Sequence, residues 1–345
     1  RTMNYISGGY PPPYSGYAVY PPDPYREPVR YLRKRSNALG WVLCSFFLAT
    51  FVFSAILSIV VSVIGVTYQD QYAAFSGMSP ELYYWMTGVL YILSLFVPFL
   101  IFGAAVREPL SEQLTFGRIQ PLDFIFCILF GFGACMAANI PTNVIVAFLQ
   151  ALGFSGEMPS YPETETLGAN IIYAVLIAVL APFFEEFVFR GIVLGRLRRF
   201  GNGVAIFGSA LLFGLFHGNF IQMPFAFLCG LVLGYIVVRT GSLWAAVAVH
   251  FLNNGFAVFQ EFCGKYGSEQ LYFTVAAYVP LIVIALGLAA GLCLLITYRK
   301  HTVPNVPEAQ ISLSRRLGAF FISPGMILFI ILSLAESVAA LIEMG

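Results

Sequence analysis

Charged residues are scarce in this chain. Only 10% of its 345 residues are Asp, Glu, Lys or Arg, whereas a soluble globular domain carries roughly a quarter. Hydrophobic residues make up 59%, and they stand in long runs such as 39–66 and 273–298. These runs exceed the ~20 residues that a helix needs to cross a bilayer. The composition therefore predicts an integral, multi-pass membrane protein.

Other features are missing as well. The net charge is only +1, which argues against a nucleic-acid partner. The six cysteines form no CxxC pair, and we interpret them as small buried hydrophobic residues. The HExxH sequence, which is the zinc-binding helix of many proteases, is also missing. The sequence therefore shows no sign of a nucleic-acid-binding protein or of an HExxH peptidase.

The domain organisation follows the hydropathy. Residues 1–37, rich in Tyr and Pro, are predicted to form a disordered cytoplasmic tail, with a docking peptide for a proline-binding partner as the alternative. Transmembrane helices then occupy an N-terminal group over 38–168, a central group over 169–262 and a C-terminal group over 263–345. Nine spans are predicted, with eight as the alternative, at 39–66, 86–106, 122–152, 169–195, 203–217, 223–238, 243–262, 272–298 and 318–342.

Basic residues alternate between the predicted loops. A basic cluster at 26–35 precedes the first span, and the loops at 67–85 and 153–168 carry carboxylates but no Lys or Arg. The positive-inside rule therefore places the N-terminus in the cytoplasm and these two loops outside. No internal repeat is apparent, which weakens the case for a transporter built from inverted repeats.

Ionisable residues inside the predicted spans mark a candidate site, because such residues are costly unless they face a cavity or a partner. Glu186 and Arg190 are four residues apart, so they share a helix face and can neutralise each other. Glu185 lies about 100° around the helix and remains available for chemistry. The remaining unusual polar residues are in the segments 213–217 and 250–254.

The depth of these residues indicates that they can meet. At ~1.5 Å per residue, Glu185 and His250 lie roughly 16 Å from the cytoplasmic ends of their helices. His217 lies roughly 22 Å from its own, a difference that helix tilt can absorb. The sequence therefore predicts one polar cavity inside the membrane, lined by all three residues.

These residue types suit hydrolysis by activated water. We predict that Glu185 and His217 activate the water, and that His250 and Asn254 stabilise the resulting oxyanion. The same side chains could hold zinc, which the spacing leaves open. Two further functions remain open. A transporter would also use a polar cavity, and a non-enzymatic scaffold or regulator is compatible with one.

The three segments resemble the signatures EExxxR, FxxxH and HxxxN or HxxxD of the CAAX protease and bacteriocin-processing family, the type II CAAX prenyl endopeptidases. They read Glu185-Glu186-Phe-Val-Phe-Arg190, Phe213-Gly-Leu-Phe-His217 and His250-Phe-Leu-Asn-Asn254. The resemblance covers about 169–262, which becomes the predicted catalytic core.

The resemblance implies an all-helical intramembrane glutamate protease that needs no metal cofactor. Glu185, His217, His250 and Asn254 would then be catalytic, with Glu186 and Arg190 as supporting residues. The cavity would open to the cytoplasmic side and to the membrane. The implied partner is a peptide or protein substrate at the lipid bilayer, which is prenylated for eukaryotic members. The predicted location is a bacterial cell membrane.

Overall fold

The structure is a computed structural model, which describes residues 26–63, 69–106, 114–156, 161–297 and 311–343. Within these ranges the chain forms ten α-helices and no β-strand. They are α1 Arg26–Val63, α2 Pro80–Val106, α3 Pro121–Ala151, α4 Leu167–Leu197, α5 Asn202–Phe216, α6 Gln222–Thr240, α7 Leu243–Tyr266, α8 Glu269–Thr297, α9 Leu313–Phe321 and α10 Pro324–Glu343. The predicted all-α transmembrane bundle is confirmed.

The helices α1 to α8 and α10 correspond to the nine predicted spans. Seven of the described helices are long and apolar enough to cross a membrane. The other two of the nine are α5, which has 15 residues, and α7, which has 24 residues but carries His250, Asn253, Asn254 and two charged residues. Helix α7 therefore carries two of the predicted site residues, His250 and Asn254.

The predicted disordered tail ends earlier than expected. Helix α1 begins at Arg26, so the predicted tail residues 26–37 form its first turns. The reason is tertiary packing: Leu32 is fully buried and lies in one cluster with Phe200, Val204 and Ala319. Residues 1–25, the remainder of the predicted tail, lie outside the described residues.

The packing of the helices encloses the central group. Helices α5 and α6 form a hairpin that packs against α4, while α1 contacts α2 and α10. Helix α3 runs against α8 at a close approach of two glycines, where a Cβ on Gly287 would lie 2.8 Å from the Cα of Gly133. Small residues of this kind let membrane helices approach closely. A cavity of about 590 Å³ remains between α2, α4, α7 and the hairpin.

Candidate active site

The glutamates lie in a short α-helical part of α4 between two wider turns. The segment Ala181–Glu186 is α-helical, and π-helix flanks it at Leu176–Leu180 and Phe187–Val193. A π-turn shifts the hydrogen-bond register by one residue and leaves a backbone carbonyl without its usual donor, and such turns are frequent at functional sites. Polar side chains of neighbouring helices can therefore donate hydrogen bonds to these carbonyls of α4.

Two neighbouring helices supply those side chains. The Asn254 Nδ2 of α7 donates to the carbonyl of Ile177 at 3.1 Å. The Ser209 hydroxyl of α5 donates to the carbonyl of Phe189 at 2.7 Å. Both contacts bind the backbone of α4, one on each side of the glutamates, and so fix the position of the pair.

The predicted pair of Glu186 and Arg190 is present. The Arg190 Nη1 lies 2.8 Å from Glu186 Oε1, and both side chains are fully buried. The guanidinium also stacks on the ring of Phe213, with its Cζ 4.1 Å from the ring centre. Phe213 in turn meets the imidazole of His217 edge to face at 4.8 Å, as expected for residues one turn apart.

His250 lies between the two glutamates. Its Nδ1 is 2.9 Å from Glu186 Oε1, and its Nε2 is 3.8 Å from Glu185 Oε2. Because Glu186 is a carboxylate paired with Arg190, it accepts the hydrogen bond and the Nδ1 carries the proton. Glu186 therefore orients His250 in addition to neutralising Arg190, a role that the i,i+4 spacing does not reveal.

Glu185 faces the cavity with a partner from outside the motifs. The Tyr91 hydroxyl of α2 donates to its Oε1, and both side chains line the cavity. This bond orients the carboxylate and leaves its second oxygen toward His250. Sequence patterns give no signal for Tyr91, since a tyrosine in an apolar helix is ordinarily a packing residue.

His217 also lines the cavity, at the tip of the α5–α6 hairpin. Its Nδ1 is 2.7 Å from the carbonyl of Phe213, which can only accept a hydrogen bond. The proton of the neutral ring therefore lies on Nδ1, and Nε2 is the basic nitrogen. This is the tautomer that a general base requires.

Asn254 is held differently from a free oxyanion donor. One of its two amide hydrogens goes to the carbonyl of Ile177, and its Oδ1 accepts from Asn253 Nδ2 at 3.3 Å. One amide hydrogen remains for a substrate. The side chain also fixes α7 against α4, so its replacement affects the shape of the site as well as its chemistry.

The polar groups of the cavity do not form a cluster of metal ligands. Within the described ranges, no group of three or more His, Cys, Asp or Glu side chains is arranged to hold a metal ion. His250 has both ring nitrogens directed at Glu185 and Glu186.

Glu336 of α10 is a further residue that the motifs do not contain. It lines the cavity, and its Oε2 would lie 2.5 Å from a Cβ added to Gly218. A sequence signal was available here, because a carboxylate in an apolar span marks a functional position by default. Three carboxylates, Glu185, Glu261 and Glu336, therefore line one cavity.

Replacing Tyr91 by Phe tests the contact to Glu185. The change removes one hydroxyl and keeps the ring. We expect cleavage to fall about tenfold, since a hydrogen bond to a charged group contributes roughly 1.5 kcal/mol or more. The measurement is the rate of product formation in membranes with matched protein amounts. Tyr278→Phe, on the exposed face of α8, is the matched control, and equal rates for both variants would contradict a role for Tyr91.

The fold and site together define a class of protein. A multi-pass helical membrane protein carries carboxylate and imidazole groups on the wall of a polar cavity, and these are the groups that activate water in hydrolases.

Comparison with known proteins narrows this class. Residues 167–256 match the family model "Type II CAAX prenyl endopeptidase Rce1-like". The "Membrane-embedded CAAX protease MroQ" of Staphylococcus aureus (strain USA300) is 25% identical over 197 residues, which cover 52% of this chain and 77% of that protein. The "Putative membrane peptidase YdiL" of Bacillus subtilis (strain 168) is 24% identical over 218 residues, which cover 52% of this chain and 88% of that protein. No solved structure matches significantly.

The resemblance predicted from the three motifs is confirmed. This chain is similar to CAAX proteases over the matched segment, and the comparisons support membrane protease activity in general.

Proposed function

We propose that this protein is an intramembrane endopeptidase of the glutamate type, which hydrolyses a peptide bond of a membrane-associated or lipidated substrate. The observation that carries the proposal is the position of Glu185. Its carboxylate faces the cavity, Tyr91 donates to one oxygen, and His250 lies 3.8 Å from the other. A carboxylate held in this way is a suitable general base.

In the proposed reaction, Glu185 and His217 share the task of activating water. His217 offers its basic Nε2, because Nδ1 is bonded to the carbonyl of Phe213. Glu185 or His217 takes a proton from the water, whose oxygen attacks the carbonyl carbon of the scissile bond. The proton then passes to the leaving amine as the bond to nitrogen breaks.

The proposed oxyanion site is on α7. His250 in its doubly protonated form donates through Nε2, while its Nδ1–H remains on Glu186. The free amide hydrogen of Asn254 is the second donor. Glu186 and Arg190 act as supporting residues, since they hold the imidazole and touch no substrate. Preorganised donors of this kind stabilise the charge that develops in the transition state.

The cavity suits part of a peptide chain. Its volume of about 590 Å³ lies within the range of roughly 300–1,000 Å³ that ligand sites occupy. Apolar residues such as Leu176, Leu180 and Phe225 line it beside the polar groups, which suits a substrate with apolar as well as polar parts. We propose a bacterial cell membrane as the location because both similar proteins are bacterial, with the N-terminus in the cytoplasm because of the basic loops.

Comparative peptidomics tests the function and identifies the substrate together. Cells with the wild-type protein and cells with Glu185→Ala are compared for membrane-associated peptides and shortened proteins. We expect at least one product that is present with the wild type and lost with the variant. If both cells yield the same peptides while both proteins are folded in the membrane, the proposal of a protease fails.

A chelator tests the metal-independent mechanism. We expect cleavage by the purified protein to change less than twofold after incubation with EDTA or 1,10-phenanthroline, because the proposed base is the carboxylate of Glu185. The measurement is product formation before and after chelation. A loss of activity that added zinc restores would assign the site to metal catalysis instead.

A further inference from the structure

The cavity occupies one half of the bundle along the direction of the helices. On α4, its lining residues begin at Tyr173 and end at Glu185. On α7, they begin at His250 and end at Glu261. Helices α4 and α7 run in opposite directions through the site. Their cavity-lining parts therefore lie toward the same end of the bundle, where α4 begins and α7 ends.

The other half of the bundle is filled by packed side chains. We call the end at which α4 finishes the solid end, and the end at which α4 begins the hollow end. Past Glu185, the α4 side chains of Phe189, Ile192, Val193 and Leu197 are all completely buried. They belong to one continuous core with residues of α2, α5, α6 and α7. Among the residues that the structure describes, no comparable opening therefore leads from the glutamates to the end at which α4 finishes.

The two ends also differ in charge. The solid end carries Arg196, whose guanidinium stacks on Phe102 at the end of α2, and Arg316, which donates to the carbonyl of Phe200. The hollow end carries Glu163 and Glu165. Lys265 is also at this end, where it donates to the carbonyl of Thr164 and lies 3.9 Å from Glu165.

Two expectations therefore conflict. The basic loops and the mouth of the cavity lie at opposite ends of the bundle, so the basic loops and the mouth cannot both face the cytoplasm. The predicted orientation of the bundle follows from the charges of this chain, and the direction of the cavity follows from its packing. The cytoplasmic opening, by contrast, was expected only from the family resemblance.

The lining of the cavity is acidic. Glu185, Glu261 and Glu336 line it, and no Lys or Arg is among its lining residues in the described ranges. Glu261 accepts a hydrogen bond from Tyr173 at 3.0 Å, which holds it in the cavity wall near the end of α7. Partial burial and the nearby Tyr83 and Glu185 raise the pKa of the Tyr161 phenol above its ordinary value, so the phenol stays neutral beside the carboxylates.

We propose that the substrate enters from the extracytoplasmic face, through a mouth of tyrosines and carboxylates that favours positively charged peptide segments. Tyr84, Tyr161 and Tyr173 form this mouth with Glu261; their rings pack 5.6–6.0 Å apart. Carboxylates in a low-dielectric cleft concentrate cations, and tyrosine faces attract them as well. The proposal rests on the proposed protease function, because it concerns the substrate of that protease. Its test does not require cleavage.

The test is thiol labelling with two membrane-impermeant methanethiosulfonates, one with a trimethylammonium group and one with a sulfonate group. Ala257→Cys places a thiol on the cavity wall. Ala74→Cys and Ser314→Cys are exposed reference positions at the hollow and the solid end. All three are made in a Cys135→Ala/Cys229→Ala background, because these two cysteines line the cavity. If the Cys135→Ala/Cys229→Ala protein does not fold, the three variants are made in the wild-type protein instead. Labelling of the wild-type protein itself is then subtracted as the baseline.

In intact cells we expect Ala257→Cys and Ala74→Cys to react and Ser314→Cys to remain unlabelled. Inverted membrane vesicles should give the opposite result. The ratio of cationic to anionic reaction rates should be about tenfold higher at Ala257→Cys than at Ala74→Cys, because the carboxylates concentrate the cationic reagent.

Three results would overturn the proposal. Labelling of Ala257→Cys from the same side as Ser314→Cys would place the opening at the solid end, and labelling of Ala74→Cys from the cytoplasm would reverse the orientation. Equal rate ratios at both positions would refute charge selection. If the labelling is as expected but the wild-type protein cleaves no peptide, only the proposed protease function fails.

Discussion

Glu185→Gln is expected to lower peptide cleavage by about 10²- to 10⁴-fold while the folded protein remains in the membrane. The amide has nearly the shape of the carboxylate but cannot take a proton from water, and general base catalysis contributes about this factor. Tyr91 can still donate to the amide oxygen, so the side chain keeps its position. The measurement is single-turnover cleavage by purified protein, with the product identified in the peptidome comparison.

The matched control is Glu269→Gln. Glu269 begins α8 and is exposed, and it does not line the cavity. The same substitution there should leave cleavage unchanged, so a general effect of losing one carboxylate is separated from a catalytic effect. Wild-type rates in Glu185→Gln would remove Glu185 from the mechanism and would leave His217 as the only proposed base.

The fold was accessible from sequence because hydrophobicity dominates it. Nine apolar segments predict nine helices, and the structure contains a helix at each. The failure lies at residues 26–37, where local composition suggests a polar tail. Leu32 makes this segment helical through contacts with α5 and α9, and such long-range contacts leave no mark in the local pattern.

The site was accessible only in part. Helix periodicity predicts that Glu186 and Arg190 form a pair, and they do. Periodicity within one helix cannot predict that Glu186 also holds His250, 64 residues away, because this contact depends on how α4 and α7 pack. The roles of Glu185, His217, His250 and Asn254 stay predictions.

The π-turns of α4 explain a further gap. An α-helical wheel assumes 3.6 residues per turn, yet two stretches of α4 are wider. Asn254 is therefore partly engaged by the carbonyl of Ile177, whereas the motif suggests only an oxyanion donor. Tyr91 and Glu336 come from helices outside the matched segment, and the spacing of the motifs contains no information about them.

Removing the charge of Glu186 should have the largest effect on stability. Arg190 is 1% exposed, and its Nη1 lies 2.8 Å from Glu186 Oε1. In Glu186→Gln this buried cation loses its countercharge, which costs about 3–5 kcal/mol when one partner of a buried pair is removed. We expect a loss of folded protein, and a lower unfolding free energy in SDS titrations of mixed micelles.

The double variant Glu186→Gln/Arg190→Met separates stability from catalysis. Arg190→Met removes the uncompensated charge and keeps an apolar stem against Phe213, so most of the lost stability should return. Cleavage should remain reduced about tenfold or more, because the neutral amide supports the protonated form of His250 less than a carboxylate does. If the double variant is as active as the wild type, Glu186 serves only to neutralise Arg190. If Glu186→Gln alone is fully stable, the buried pair does not hold the core together.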